Sequence, residues 1–205
     1  MLIIIDYGMG NLKSVYNAFT YLGQEVIISN KKEDLERADY IVLPGVGSFG
    51  KGIENLRKLG LIELLNKEVL ENKKPFLGIC LGMQLIAKDS TEEGLNKGLG
   101  WLDANVRKLD VKLRIPHMGW NDVKFNKESN LLKNLSLGTS FYFIHSFAMN
   151  CKDKKDILMT TEYGKEFVAA IQKENIFAVQ FHPEKSHKSG LQLLKNFLEG
   201  SYVKE

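Results

Sequence analysis

The stretch Lys74–Ser90, KPFLGICLGMQLIAKDS, decides the fold. An apolar run, Phe76 to Cys80, stops at a cysteine framed by Gly78 and Gly82, and apolar residues then recur at helical spacing. G-x-Cys-x-G has the form of a nucleophile elbow, a sharp strand-to-helix turn whose glycines leave room for a strained backbone. The helix N-terminus behind the cysteine favours a thiolate, and the Leu81 N–H is free to face a developing oxyanion. Taken alone, Cys80 also fits a small residue buried at a strand end. The glycine frame argues for the thiol being held out for chemistry.

Upstream, MLIIID is a buried strand, YGMGN a glycine turn and LKSVYNAFTYLG a helix stopped by Gly23. EVIIS predicts a second strand, KEDLERA a short helix, and DYIVLPG a third strand broken by Pro44-Gly45. FGKGIENLRKLGLIELLNKEVLENK reads as helix before the strand PFLGIC. Strands alternating with helices imply an α/β fold with a mostly parallel sheet covered on both faces. After residue 95 the texture changes to shorter segments, WLDANVRKL, NDVKF, SFYFIHSFAMN, DILMTTEY and FVAAIQKENIFAVQFH, expected as added antiparallel hairpins with a turn at KENI. KSGLQLLKNFLEG predicts a terminal helix. No repeat or linker divides the chain, which is expected to form one domain over 1–205 and to bury roughly 70 % of its unfolded surface without metals or disulfides.

The two cysteines, Cys80 and Cys151, fit a reducing cytoplasm, and no signal-type segment or long apolar span is read. Cys151, in the polar MNCKDKK segment, is expected as an inert loop thiol, and His187 as a solvated residue by the last helix. The net charge of +3 is spread along the chain, with short lysine runs of the kind found on solvated loops, so neither a nucleic acid nor a membrane is an expected partner. DYGMGN follows a strand and opens a helix, but the third glycine of a dinucleotide fingerprint would fall at Lys13. No nicotinamide or flavin site is read, and no cofactor or metal is expected.

A thiol nucleophile needs a proton carrier. FAVQFHPEKS ends an apolar strand in His182-Pro183-Glu184, an imidazole with a carboxylate two residues on, suited to carry the thiol proton and to orient the ring. LPGVGSFG, Pro44 to Gly50, adds a glycine-rich turn able to bring main-chain N–H groups to a substrate.

Together these motifs resemble the class I, triad-type glutamine amidotransferases. DYGMGNLKSV, LPGVGSFG, GICLGMQL, IPHMGWN, YFIHSF and QFHPEKS stand in the order found among the glutaminase subunits of histidine biosynthesis, and the resemblance runs from Ile5 to Phe197. It implies Cys80 as nucleophile with His182 and Glu184 completing the triad, and Val46, Gly47 and Leu81 as the oxyanion-hole region. It also implies Gln84, Glu92, His145, Ser146 and Phe147 around bound glutamine. A docking face for a (β/α)8-barrel cyclase is implied at Asn11, Lys13, His117, Met118, Trp120, Asn121 and Lys185. The family's reaction would release glutamate and ammonia through a cysteine thioester and pass the ammonia to the cyclase. Separately, the glycines of LPGVGSFG permit a backbone whose oxyanion donor is aligned only on docking, so weak turnover by the chain alone is expected. Two departures, Trp101-Leu102-Asp103-Ala104 after Gly100 and Phe147 where tyrosine is common, leave room for a second acceptor, a sugar amidotransferase of glycan modification.

Overall fold

The computed structural model describes residues 1–200. Runs of β-branched and aromatic residues form β1 (Leu2–Ile5), β2 (Val26–Ser29), β3 (Tyr40–Gly45) and β4 (Phe76–Cys80) in the first half. Between them lie α1 (Leu12–Tyr21), α2 (Lys32–Arg37), α3 (Phe49–Lys58) and α4 (Leu61–Asn66), and α5 (Leu81–Leu85) follows β4 directly. The second half holds the short β5 (Asp89–Ser90) and β6 (Asn96–Lys97), then β7 (Ala104–Lys108), β8 (His117–Phe125), β9 (Ser140–His145), β10 (Phe147–Cys151), β11 (Ile157–Tyr163), β12 (Lys165–Lys173) and β13 (Ile176–Val179). The helix α6 (His187–Glu199) closes the described chain.

Nine strands form one sheet in the order β2-β1-β3-β4-β13-β12-β11-β8-β9. The first five run parallel and the remaining pairings are antiparallel, so the mixed α/β sheet follows from the sequence pattern. A smaller sheet, β10-β7-β5-β6, packs beside it. Every residue of β1, β4 and β13 is buried, as expected of strands covered on both faces. One core, around Ile3, Leu43, Phe49, Leu65 and Met83, fills one side; a second, around Phe19, Phe143, Phe181 and Phe197, fills the other.

Three local expectations are corrected. β3 is not broken at Pro44: it runs through to Gly45, pairing Pro44 with Ile79 and Gly45 with Cys80. Pairing with β1 ends at Val42, so the missing proline N–H falls where only β4 is alongside. The long helix expected from Phe49 is instead divided at Gly60, which adopts φ +65° and separates α3 from α4 before a π-turn at Lys67–Glu71. SFYFIHSFAMN is two strands in two sheets, β9 and β10, parted at Ser146.

β4 and β13 are neighbours in register, Ile79 opposite Val179. Their C-terminal ends therefore deliver Cys80 and the segment from Gln180 to His182 to the same edge of the sheet, where open α/β sheets place their sites. The sheet coils enough for β9 to return over this edge, and His182 N–H donates to the Tyr142 carbonyl at 2.9 Å.

Candidate active site

Cys80 has φ +54° and ψ −105°, a conformation that non-glycine residues seldom adopt, at the junction of β4 and α5. The flanking glycines are required by contact. A Cβ on Gly82 would lie 1.8 Å from the Leu43 carbonyl oxygen, and one on Gly78 would lie 2.8 Å from the Gly82 carbonyl oxygen. The strain is thus held by the close seating of α5 on β3 and β4. The thiol is buried, with Sγ 3.9 Å from the Ile144 carbonyl oxygen and 3.7 Å from Gln180 Nε2.

His182 stands just past β13, its Nδ1 2.8 Å from Glu184 Oε1, and both side chains are closed to solvent. Pro183–Lys185 forms a single 3-10 turn, which brings the carboxylate back under the ring. Burial opposes charge on the imidazole, but the Cys80 sulfur and the Glu184 carboxylate outweigh it and the pKa is pushed up to about 9. The sulfur raises it by a hydrogen-bonding contact first and by its charge second, although Nε2 meets no hydrogen-bond partner of standard geometry among the described residues. A ring fixed through Nδ1 and free at Nε2, beside a thiol, can take a proton and return it.

The loop after β3 faces the same edge. Val46 is 44 % exposed and Gly47 has φ +111°, while Leu81 is buried at the start of α5. Gly45 is pressed on Tyr7 and Leu81: a Cβ there would sit 2.1 Å from the Tyr7 hydroxyl. That hydroxyl is buried without a hydrogen-bond partner among the described residues, and burial together with the neighbouring Cys80 holds it in its neutral form.

The residues expected around glutamine divide into two groups. Gln84, His145 and Phe147 come together: Gln84 Nε2 and His145 Nδ1 converge on the Phe147 carbonyl oxygen at 3.0 and 2.8 Å. Ser146 is the break between β9 and β10, its carbonyl accepting from Leu109 N–H at 2.9 Å. Glu92 lies across the loop, where Oε2 accepts from Phe49 N–H at 2.7 Å and so caps α3. Burial raises its pKa, with Glu93 adding to the shift against the Phe49 hydrogen bond.

Of the residues expected on a docking face, Asn11, Lys13 and Lys185 are exposed, and Met118 and Trp120 project from β8 at 58 % and 46 % exposure. Asn11 caps α1 through Ser14 N–H, and Asn121 is half-buried. His117 lies beneath the face, only 1 % exposed, because alternation along β8 turns it inward. His187 is exposed, as expected, and stacks on Trp120 with ring centroids 5.0 Å apart. Cys151 ends β10 rather than lying in a loop, and burial followed by the nearby Asp156 pushes its thiol up to about 12.

Gln180 joins the site although no motif in the sequence marks it. It is completely buried, accepts from Gln84 Nε2 at 3.0 Å and turns its own Nε2 to the sulfur. The signal available was one polar residue inside the apolar run FAVQF. A groove of about 1350 Å³ lies at the other edge of the sheet, lined by Glu68, Lys74 and Asn175, and takes no part in this constellation.

Residues 3–200 match the class-I glutamine amidotransferase family. The chain is 53 % identical over 201 residues to imidazole glycerol phosphate synthase subunit HisH 2 of Methanococcus maripaludis, covering 97 % of this chain and 99 % of that protein. It is 48 % identical over 199 residues to subunit HisH 1 of Campylobacter jejuni, covering 96 % and 98 %. Among solved structures, a glutamine amidotransferase superposes with a TM-score of 0.74 at 22 % identity, over 98 % of this chain and 99 % of that one, a likeness of fold. With the elbow at Cys80 and matches of this length and identity, the chain belongs to the class-I glutamine amidotransferases, among the HisH glutaminase subunits of imidazole glycerol phosphate synthase.

Proposed function

We propose that Cys80, His182 and Glu184 hydrolyse glutamine and that the ammonia released passes to a docked (β/α)8-barrel cyclase subunit. The observation that carries this reading is the strained Cys80 beside an imidazole that is fixed by Glu184 at Nδ1 and unpartnered at Nε2. The Cys80 thiolate adds to the side-chain amide carbon of glutamine, and charge gathers on the amide oxygen. Leu81 N–H and the main chain at Val46 and Gly47 form the oxyanion region. As the C–N bond breaks, His182 gives its proton to the departing nitrogen and ammonia leaves. The γ-glutamyl thioester then takes a water molecule, whose proton returns to His182, and glutamate departs as the thiolate re-forms.

Glu184 keeps Nδ1–H paired and stabilises the imidazolium that stands beside the thiolate. Gln84, His145 and Phe147 shape the glutamine pocket on the β9 side, and Glu92 holds the loop from the other. Ammonia is useful only before bulk water protonates it, so the exposed Met118 and Trp120, with Asn11, Lys13 and Lys185, are read as the seat of the partner. The reaction belongs in a reducing cytoplasm, where Cys80 stays a free thiol.

Trp101 does not argue for another acceptor. It is 5 % exposed, donates from Nε1 to Asn66 Oδ1 at 2.7 Å and meets the Phe76 ring edge-on at the start of β4, the end of that strand remote from Cys80. Its departure from the family pattern is a matter of core packing. The test is glutamate release by the chain alone, with a barrel cyclase and its ribonucleotide, and with a sugar amidotransferase and its sugar. Stimulation by the cyclase is expected; stimulation by the sugar enzyme alone would replace the acceptor, and full activity of the isolated chain would remove the need for docking.

A further inference from the structure

β8 and β9 pair with His117 directly opposite His145, and the two imidazoles join a line of contacts that leads from the docking face to the sulfur. At its outer end Asn121 Nδ2 lies 2.7 Å from the Glu162 carbonyl oxygen, and Asn121 Oδ1 lies 3.0 Å from His117 Nε2. His117 Nδ1 lies 3.1 Å from His145 Nε2, and His145 Nδ1 lies 2.8 Å from the Phe147 carbonyl oxygen. Through Gln84 that carbonyl connects to Gln180, whose Nε2 is turned to Cys80 Sγ.

The line is one proton short. Both of its ends, the Glu162 and Phe147 carbonyls, can only accept. Between them lie four contacts, and each needs one hydrogen. Two neutral imidazoles supply one each and the asparagine amide supplies one, so three hydrogens serve four contacts. Turning the amide over changes which contact is empty and leaves the number unchanged. A fourth hydrogen on the rings would require an imidazolium, and the surroundings oppose it. The two rings are faced by Phe143, Tyr163, Phe167 and His182, none of them a carboxylate. Burial lowers the affinity of both imidazoles for a second proton. With the Asn121 amide spent on Glu162, the empty contact falls among the three inner ones, where an acceptor facing an acceptor is costly.

We infer that His117 and His145 are positioning residues for the Cys80 sulfur, and that a lysine or arginine of the docked partner completes their chain at Asn121. This rests on the docking reading above. A cation bridging the Glu162 carbonyl and a turned Asn121 Oδ1 frees the amide to donate to His117 Nε2. Both rings are then held as Nδ1–H, His145 donates to the Phe147 carbonyl, and the carbonyl that Gln84 shares is fixed. The chemistry of the spot calls for a donor-only group: the Glu162 carbonyl and the turned Asn121 Oδ1 can both only accept, and a lysine or arginine carries donors and no acceptor. Asn121 is half-buried and Glu162 exposed, so the receiving end is open from outside.

The experiment is ¹⁵N spectroscopy of the histidine rings at pH 7, on the full chain alone and bound to the barrel cyclase with its ribonucleotide. The free chain is expected to show His117 and His145 neutral and exchanging between Nδ1–H and Nε2–H forms; the complex, both held as Nδ1–H. An imidazolium or one fixed tautomer in the free chain would overturn the inference, as would tautomers unchanged on binding. His117→Phe supplies a second readout, since it keeps the ring stacked on Phe143 and Tyr163 and removes both nitrogens beneath the surface. Calorimetry should find the variant still binding the cyclase, with glutamate release by the complex reduced by about 5–150-fold, the usual span of coupling between sites. Full stimulation of this variant would overturn the inference. A cyclase that fails to bind the unaltered chain would instead count against the docking reading, and the free-chain spectrum would still decide the proton deficit.

Discussion

Glu184 Oε1 lies 2.8 Å from His182 Nδ1, and the two side chains, two residues apart, are 2 % and 3 % exposed. A carboxylate buried this way fixes the imidazole through one nitrogen and leaves the other for chemistry. The proton carrier and its orienting group are therefore separable by mutation. His182→Ala should reduce glutamate release in the complex by roughly 10²–10⁴-fold, the usual worth of general acid–base catalysis, and Glu184→Gln by less, because an amide still orients the ring. Steady-state assays of both variants check this, and near-normal turnover by His182→Ala would require another base.

The raised pKa of His182 carries a pH signature. Its folded value of about 9 stands above the ordinary 6.5, so the stability it contributes is fully present below pH 6.5 and is lost as pH rises through 9. Cys80→Ala removes one of the two groups that raise it. Denaturant midpoints measured at pH 6 and pH 9 should therefore fall more for the unaltered chain than for Cys80→Ala, and equal slopes would contradict the coupling.

The two thiols should differ in reactivity. Burial and Asp156 hold Cys151 protonated well above neutral pH. A glutamine-like electrophile applied near pH 7.5 should label Cys80 and leave Cys151 free, as read by peptide mapping; label on Cys151 would displace Cys80 from its role.

Gly82 leaves no room for a methyl group against the Leu43 carbonyl. Gly82→Ala must push α5 away from β3, and overpacking of this kind costs about 1–3 kcal/mol or more. A lowered melting temperature with a larger loss of turnover is expected, because the displaced element carries Cys80. An unchanged melting temperature would show that the elbow yields freely.

Trp101→Ala supplies the contrast. Loss of a buried indole and its hydrogen bond to Asn66 should cost about 3–5 kcal/mol of stability, while the folded fraction keeps its glutamine turnover. A selective change in partner preference would instead give Trp101 a part in acceptor choice.

The elbow and the His-x-Glu pair were legible in the sequence because their chemistry is local: glycines two residues either side of the cysteine, and a carboxylate two residues past the histidine. The parallel sheet was legible through the fully apolar strands LIII and FLGIC. Pro44 misled because its conflict with a strand depends on which side carries a neighbour, and that is settled only by β1 ending early. The break at Gly60 was hidden because apolar residues recur at helical spacing on both sides of it. Gln180 and the partnership of His117 with His145 depend on strand register, Ile79 against Val179 and His117 against His145, which no single stretch reveals. His117 was accordingly expected on the surface with its neighbours Met118 and Trp120, although alternation along β8 buries it.

The most direct test is to assay one complex with two nitrogen sources. In a complex of the barrel cyclase with the chain carrying Cys80→Ala, the imidazole product should form from added ammonium at the unaltered rate. It should no longer form detectably from glutamine. Persistence of the glutamine-driven reaction would contradict the assignment of the nucleophile, and loss of the ammonium-driven reaction in an intact complex would contradict the division of labour between this chain and its partner.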